Sequence, residues 1–263
     1  MAIDRLVPTP KVRRRYWHLR ARRAVTAAEP AIIASRASGA SKRLFDVTIA
    51  GILLVLLSPV LLLLAVAIKL DSRGPVLYRS RRVGLHGREF AMLKFRKMRR
   101  DAAGPPLTAL NDDRLTRMGA LLGRTKLDEL PQLWNVVRGK MSLVGPRPEA
   151  PVFVATHPEE FRAILEARPG ITGLSQLAFA KESSVLERQE FAGRYVDRLL
   201  PAKIAIDRMY VAHRSTRIDT SILAWTAAAM LLRIDVAVDR GTGRLSVRRR
   251  AELQQNDAAD QSR

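Results

Sequence analysis

Twenty-two consecutive residues without an ionisable side chain, Val47–Ile68 (VTIAGILLVLLSPVLLLLAVAI), lie between Asp46 and Lys69. At about 1.5 Å per residue, an unbroken helix of that length crosses the ~30 Å hydrocarbon layer of a bilayer. A buried helix of a soluble core is the alternative, yet few such helices are apolar on every face for about six turns. The stretch begins more than 40 residues into the chain and lacks a small-x-small exit, so it does not read as a cleavable signal peptide. Two features argue against a simple span. Ser58-Pro59 falls at the midpoint, where proline removes a backbone donor and clashes with the preceding turn. Ser58 can back-bond to a freed carbonyl and make the break tolerable in lipid. The flanks, moreover, are equally basic: residues 1–43 and 69–100 carry 11 Lys/Arg each. Orientation follows from charge asymmetry, and here there is none. Both flanks on the cytoplasmic face, with a helix that enters, bends and returns, satisfies that symmetry; a Pro-kinked span is the alternative.

The remaining composition fits a chain of one or two domains with a real core. It has 263 residues, 47% of them apolar, and a formal net charge of +21. Absence of cysteine excludes a disulfide scaffold, a Cys-ligated metal and a thiol nucleophile. The charge points to polyanions: nucleic acid, anionic lipid or phosphorylated substrates. An aromatic fraction of 5% argues against a base-stacking binder of single strands.

Beyond the apolar stretch the pattern predicts an α+β, predominantly helical cytoplasmic unit. Residues 76–82 and 89–95 read as strands of a small β-hairpin around Gly84-Leu85-His86-Gly87. Helices are expected over 115–122, over 129–138 with a stop at Gly139, and over 158–167. Residues 142–144 read as extended, and 218–238 as a packed or interfacial helix whose uncharged core is too short to span. Residues 240–263 read as a loose polar tail. Phosphate loops of the GxxxxGK[ST] type, GxSxG elbows and HExxH are missing, and the four histidines are isolated.

Asp128-Glu129 stands out within GRTKLDELPQLWNVVRGKMSLVGPRPE. With Asp128 as N-cap, Glu129, Leu130 and Pro131 fill a first helical turn, where a proline is harmless. The helix dipole with Arg124 and Lys126 then favours two ionised carboxylates. Carboxylates beside phosphates need a divalent cation, and hard oxygen ligands favour Mg²⁺. Capping alone explains an Asp at this place. The flanking arginines add more: Arg124 precedes the pair, and Arg147 is held stiffly between Pro146 and Pro148. Such guanidinium forks suit bidentate phosphate contacts; solvated charge beside a membrane is the plainer reading.

These residues resemble the bacterial sugar transferase family, the monotopic phosphoglycosyl transferases that start polyprenol-linked glycan assembly. The likeness runs from about Lys42 to Val238: Lys42-Arg43-Leu44-Phe45-Asp46, the Ser58-Pro59 break, Gly74-Pro75-Val76, Arg82-Val83-Gly84, Lys94-Phe95-Arg96, Asn111–Arg117, LDELPQLWNVVRGKMSLVGPRPE, and Arg168–Gly173. The resemblance implies a catalytic domain (42–238) with a re-entrant helix at 47–68; outside it lie a basic extension (1–41), whose charge reads as adsorbing to the membrane surface, and a polar tail (239–263). It implies interfacial amphipathic helices and a place at the bacterial inner membrane, with the active site on the cytoplasmic face. Asp128 corresponds to the nucleophile that attacks the β-phosphate of a UDP-sugar, expels UMP and holds a sugar-phosphate for an undecaprenyl-type polyprenol phosphate. Glu129 corresponds to a residue associated with Mg²⁺, so Asp128 and Glu129 are the implied metal ligands. Arg124, Arg147, Lys94, Arg96, Pro146 and Pro148 correspond to substrate-binding positions. Implied partners are UDP-sugar, polyprenol phosphate, membrane lipids and a further copy of the chain, with no nucleic acid.

Some positions depart from the family's habit. Lys-Phe-Arg-Thr-Met is common where this chain has Lys94-Phe95-Arg96-Lys97-Met98, and Leu174-Ser175-Gln176 replaces a common Trp-Gln or Ala-Gln. Larger relatives carry an extra membrane domain in front, so this chain reads as the smaller catalytic form. A rival reading is a membrane-tethered basic protein that holds nucleic acid or anionic lipid without chemistry. Another is a scaffold subunit that keeps the fold without the activity.

Overall fold

The computed structural model describes residues 36–100, 112–180, 195–232, 234–239 and 242–247. Most of the basic extension, Asn111, residues 181–194 and the tail beyond 247 lie outside the described residues. Met1–Gly39 and Ala40–Arg263 form separate units, and the second holds the hairpin, the smaller sheets and the core.

Helices α1 (Arg36–Leu56) and α2 (Ser58–Asp71) meet at Leu57 with a bend of 61°. Pro59 has no N–H for the Val55 carbonyl one turn back, and the Ser58 hydroxyl donates to that carbonyl instead, at 2.7 Å. The proline therefore bends the helix without leaving a carbonyl bare. Outward side chains are apolar and open: Val55 is 77% and Leu70 83% exposed. Inward, Ile68 joins Phe95 and Leu122 in a small core with Leu61, Leu64 and Ala65. No single described helix is long and apolar enough to cross a membrane; the bent pair passes jointly, by length and composition.

Both ends of the pair are tied down. At the entry, Arg43 donates to the carbonyls of Val136 (2.7 Å) and Val137 (2.9 Å). Asp46 accepts from the Ser142 hydroxyl (2.7 Å) and the Leu143 N–H (3.2 Å). At the exit, Arg96 Nη1 donates to the Arg73 carbonyl (2.7 Å) and Nη2 to the Ser72 carbonyl (2.8 Å).

The expected hairpin forms from β1 (Leu77–Val83) and β2 (Glu89–Phe95), antiparallel with Ser80 opposite Met92. Next comes α3 (Arg117–Thr125), two to three residues later than expected because Thr116 is its N-cap and accepts the Gly119 N–H at 2.9 Å. Lys126, at φ +60°, ends it. A 3₁₀ turn (Leu127–Glu129) leads into α4 (Gln132–Val137), which Gly139 stops at φ +75°.

Strands β3 (Ser142–Val144) and β4 (Gly170–Thr172) pair in parallel, Ser142 opposite Gly170. They approach where side chains cannot: a Cβ on Gly170 would lie 2.1 Å from the Gly145 nitrogen. Between them lie α5 (Pro151–Thr156) and α6 (Pro158–Ile164), the latter shorter than expected. After β4 come α7 (Leu174–Ala178), a π-turn (Tyr195–Leu199), α8 (Leu200–His213) and α9 (Thr216–Leu232). The sequence pattern carries α9 to Val238. Instead β5 (Val236–Val238) pairs with β6 (Leu245–Val247), drawn from the stretch that reads as loose tail. The main core gathers Leu133, Val136, Met141, Leu143, Leu177, Ile206 and Ile222. The architecture is α+β, mostly helical, with small two-stranded sheets.

Candidate active site

The dyad stands where α4 docks on the hairpin. The free edge of β2 offers the Leu93 N–H and the Ala91 carbonyl, and Asn135 meets both like a peptide group: Oδ1 accepts from Leu93 and Nδ2 donates to Ala91, each at 2.9 Å. This grip brings the turn before α4 against the end of β2. There Lys94 Nζ donates to Glu129 Oε1 at 2.7 Å. Lys97 Nζ lies 3.1 Å from Asp128 Oδ2 as an ion pair.

Asp128 is not a helix N-cap. Pro131 cannot donate, so the chain closes i→i+3 bonds (Glu129 N–H to Lys126, Leu130 N–H to Leu127) and α4 starts only at Gln132. Its carboxylate is 1% exposed, and neither oxygen has an aligned hydrogen-bond donor. Burial alone would raise the Glu129 pKa, but Lys94 and Arg147, with a smaller contribution from Lys126, bring it down to about 2. Burial lowers the Lys94 pKa and the Arg147 charge adds to that, against Glu129 and Asp128.

Arg147 is thus close enough for its charge to act on both members of the Lys94–Glu129 pair. Its loop is rigid. Pro146 and Pro148 are buried, the Pro146 carbonyl accepts the Gly170 N–H (2.9 Å), and the Arg147 N–H donates to Asp207 Oδ2 (3.4 Å). Arg124 is exposed in the last turn of α3, with no hydrogen bond or ion pair to the dyad among the described residues. Arg96, expected among the substrate contacts, is 6% exposed and directed away: its guanidinium is occupied with the carbonyls after α2. Lys97 stands where Arg124 and Lys126 were expected, beside Asp128.

Behind the Arg147 loop is a buried polar group that sequence reading missed. Tyr195 donates to Glu149 Oε1 (2.8 Å), Lys203 Nζ to the Tyr195 hydroxyl (3.4 Å), and Arg82 pairs with Glu149 at 3.9 Å. Asp207 completes it. Lys203 and Asp207, four residues apart in the otherwise apolar run LPAKIAID, were the available signal.

The donor set fits Mg²⁺. Among the described residues no three His, Cys, Asp or Glu side chains converge as a metal cage. Mg²⁺ is ordinarily held by one or two carboxylates and completes its shell with phosphates and water. Asp128, with two buried oxygens lacking hydrogen bonds, and the adjoining Glu129 are such a pair.

The chain is similar to known proteins over a region that includes its dyad. The sequence profile of the family described as "Bacterial sugar transferase" matches residues 37–233. A UDP-glucose:undecaprenyl-phosphate glucose-1-phosphate transferase of Caulobacter vibrioides is 40% identical over 195 residues, 72% of this chain and 69% of that protein. An undecaprenyl-phosphate glucose phosphotransferase of Komagataeibacter xylinus is 41% identical over 70% of this chain and 35% of its own length. An exopolysaccharide production protein PSS of Rhizobium leguminosarum bv. phaseoli is 38% identical over 73% of this chain and 96% of its own. The chain therefore spans only about a third of the longest of these relatives. Its match to the profile over three quarters of its length, with the dyad inside the matched region, places it: the chain belongs to the bacterial sugar transferase family.

Proposed function

We propose that the protein transfers a sugar-1-phosphate from a UDP-sugar to a membrane polyprenol phosphate, with UDP-glucose and undecaprenyl phosphate, the substrates named for its relatives, as the first pair to test. The observation that carries this reading is Asp128: a buried carboxylate with no hydrogen bond on either oxygen, ion-paired with Lys97 and next to the Lys94–Glu129 pair on which the Arg147 charge acts. Carboxylates that only stabilise a fold are normally hydrogen-bonded when buried; one left open among cations is suited to attack a phosphorus. Asp128 forms an Oδ–P bond to the β-phosphorus. The bond from that phosphorus to the bridging oxygen breaks, and its electron pair leaves with UMP, so no proton is needed. Polyprenol phosphate then attacks the same phosphorus, and the Asp128 carboxylate is the leaving group. Two easier displacements replace one. Arg147, fixed by its prolines, is placed to bind diphosphate oxygens, and Lys94 keeps Glu129 ionised and oriented. Asp128 and Glu129 would hold Mg²⁺, which supplies offsetting charge for the phosphates.

The membrane reading is re-entry at the inner face of the bacterial cytoplasmic membrane. In its support, Arg43 and Arg96 tie the two ends of the bent pair to one unit. A soluble donor and a lipid acceptor then meet at headgroup level. In nanodiscs, UDP-glucose and Mg²⁺ should release UMP before any acceptor is added, and Asp128→Asn should abolish it. Release that strictly requires polyprenol phosphate would overturn the covalent route.

A further inference from the structure

Lys97 follows β2 and lies in a seat built by α3. Its carbonyl accepts the Thr116 N–H at 2.9 Å. At Gly119 the helix comes so near that a Cβ there would lie 1.9 Å from that carbonyl oxygen. One turn on, a Cβ at Gly123 would stand 3.7 Å from Lys97 Cδ and 3.9 Å from Nζ. The stem therefore runs along the glycine face of α3 and delivers the ammonium to Asp128 Oδ2, at 3.1 Å. The contact is an ion pair without hydrogen-bond alignment. That distinction matters chemically. A donor on the lone pair blunts a carboxylate nucleophile, whereas a cation beside it offsets the charge and leaves the lone pairs open.

We propose that Lys97 is a positioning residue for Asp128. It neutralises and orients the carboxylate before attack, and lies beside the phosphoryl oxygens once the Oδ–P bond has formed and UMP has gone. The second half rests on the proposed covalent route; the pairing does not.

The test uses the full chain in nanodiscs with Lys97→Met, Lys97→Arg, Asp128→Asn and the double variant Lys97→Met/Asp128→Asn. Removing the ammonium leaves a buried charge unpaired, so Lys97→Met should lower Tm by several degrees, while the same change on Asp128→Asn should have little effect. Additive shifts would overturn the pairing. In single turnover, Lys97→Met should slow UMP release from UDP-glucose on the order of 10²-fold, with KM within roughly threefold and most of the rate restored by Lys97→Arg. An unchanged rate, or a loss confined to KM, would overturn the positioning role. If wild type releases no UMP without acceptor, the covalent route fails by itself. The Tm cycle and the steady-state kcat with acceptor still decide Lys97.

Discussion

Asp207 holds the Arg147 loop from behind with its carboxyl. Burial pushes its pKa up and the Glu149 charge adds to that; a Ser175 hydroxyl, the Arg147 N–H and the Lys203 charge pull back, leaving it at about 7 against an ordinary 3.8. The folded protein thus binds this proton more tightly than the unfolded chain does. Between 3.8 and about 7 the native state carries more protons, so stability falls as pH rises through that window and the loss is complete above it. Asp207→Asn removes the titration while keeping an acceptor for the Arg147 N–H. Its Tm should exceed that of wild type at pH 8, and the gap should close towards pH 4. Equal melting temperatures at pH 8 would show that this carboxyl does not carry the proton.

At the level of elements, what was legible was local. Ser58-Pro59, the hairpin turn and Gly139 act on their own neighbourhoods, and each element breaks or turns where those residues stand. What was not legible depends on pairing across the chain. Asn135 matters because the edge of β2, more than 40 residues earlier, lacks a partner. Arg96 reads as a substrate-binding position from its place in the motif, and nothing local reveals the carbonyls at the end of α2 that its guanidinium meets. Lys97 finds Asp128 only through the same docking, and Pro131 moved the helix start past the expected cap. Asn135→Ala tests the grip. It strands the Leu93 N–H and the Ala91 carbonyl and should cost about 1–3 kcal/mol in chemical denaturation. Because the dyad rides on that helix, activity should fall further than stability alone explains.

For the whole molecule, the decisive quantity is where the two ends of the bent pair lie. Eleven basic residues on each side are costly to translocate, and the anchors Arg43 and Arg96 join both ends to the unit that carries the dyad. A spanning arrangement would have to break one anchor, stranding a guanidinium and the carbonyls it satisfies. The chain has no cysteine, so single cysteines at the exposed positions Ala40 and Pro75 report the topology cleanly. A membrane-impermeant maleimide should label both in inside-out vesicles and neither in right-side-out ones. Labelling from opposite sides would refute re-entry. Pro59→Ala restores a helical donor to the Val55 carbonyl and removes the steric cause of the bend, so it sets straightening against the two anchors. If the bend holds the topology, a fraction of those chains should label at Ala40 from the outer side and lose transfer in proportion; if the anchors dominate, both cysteines should stay on the inner face with activity kept.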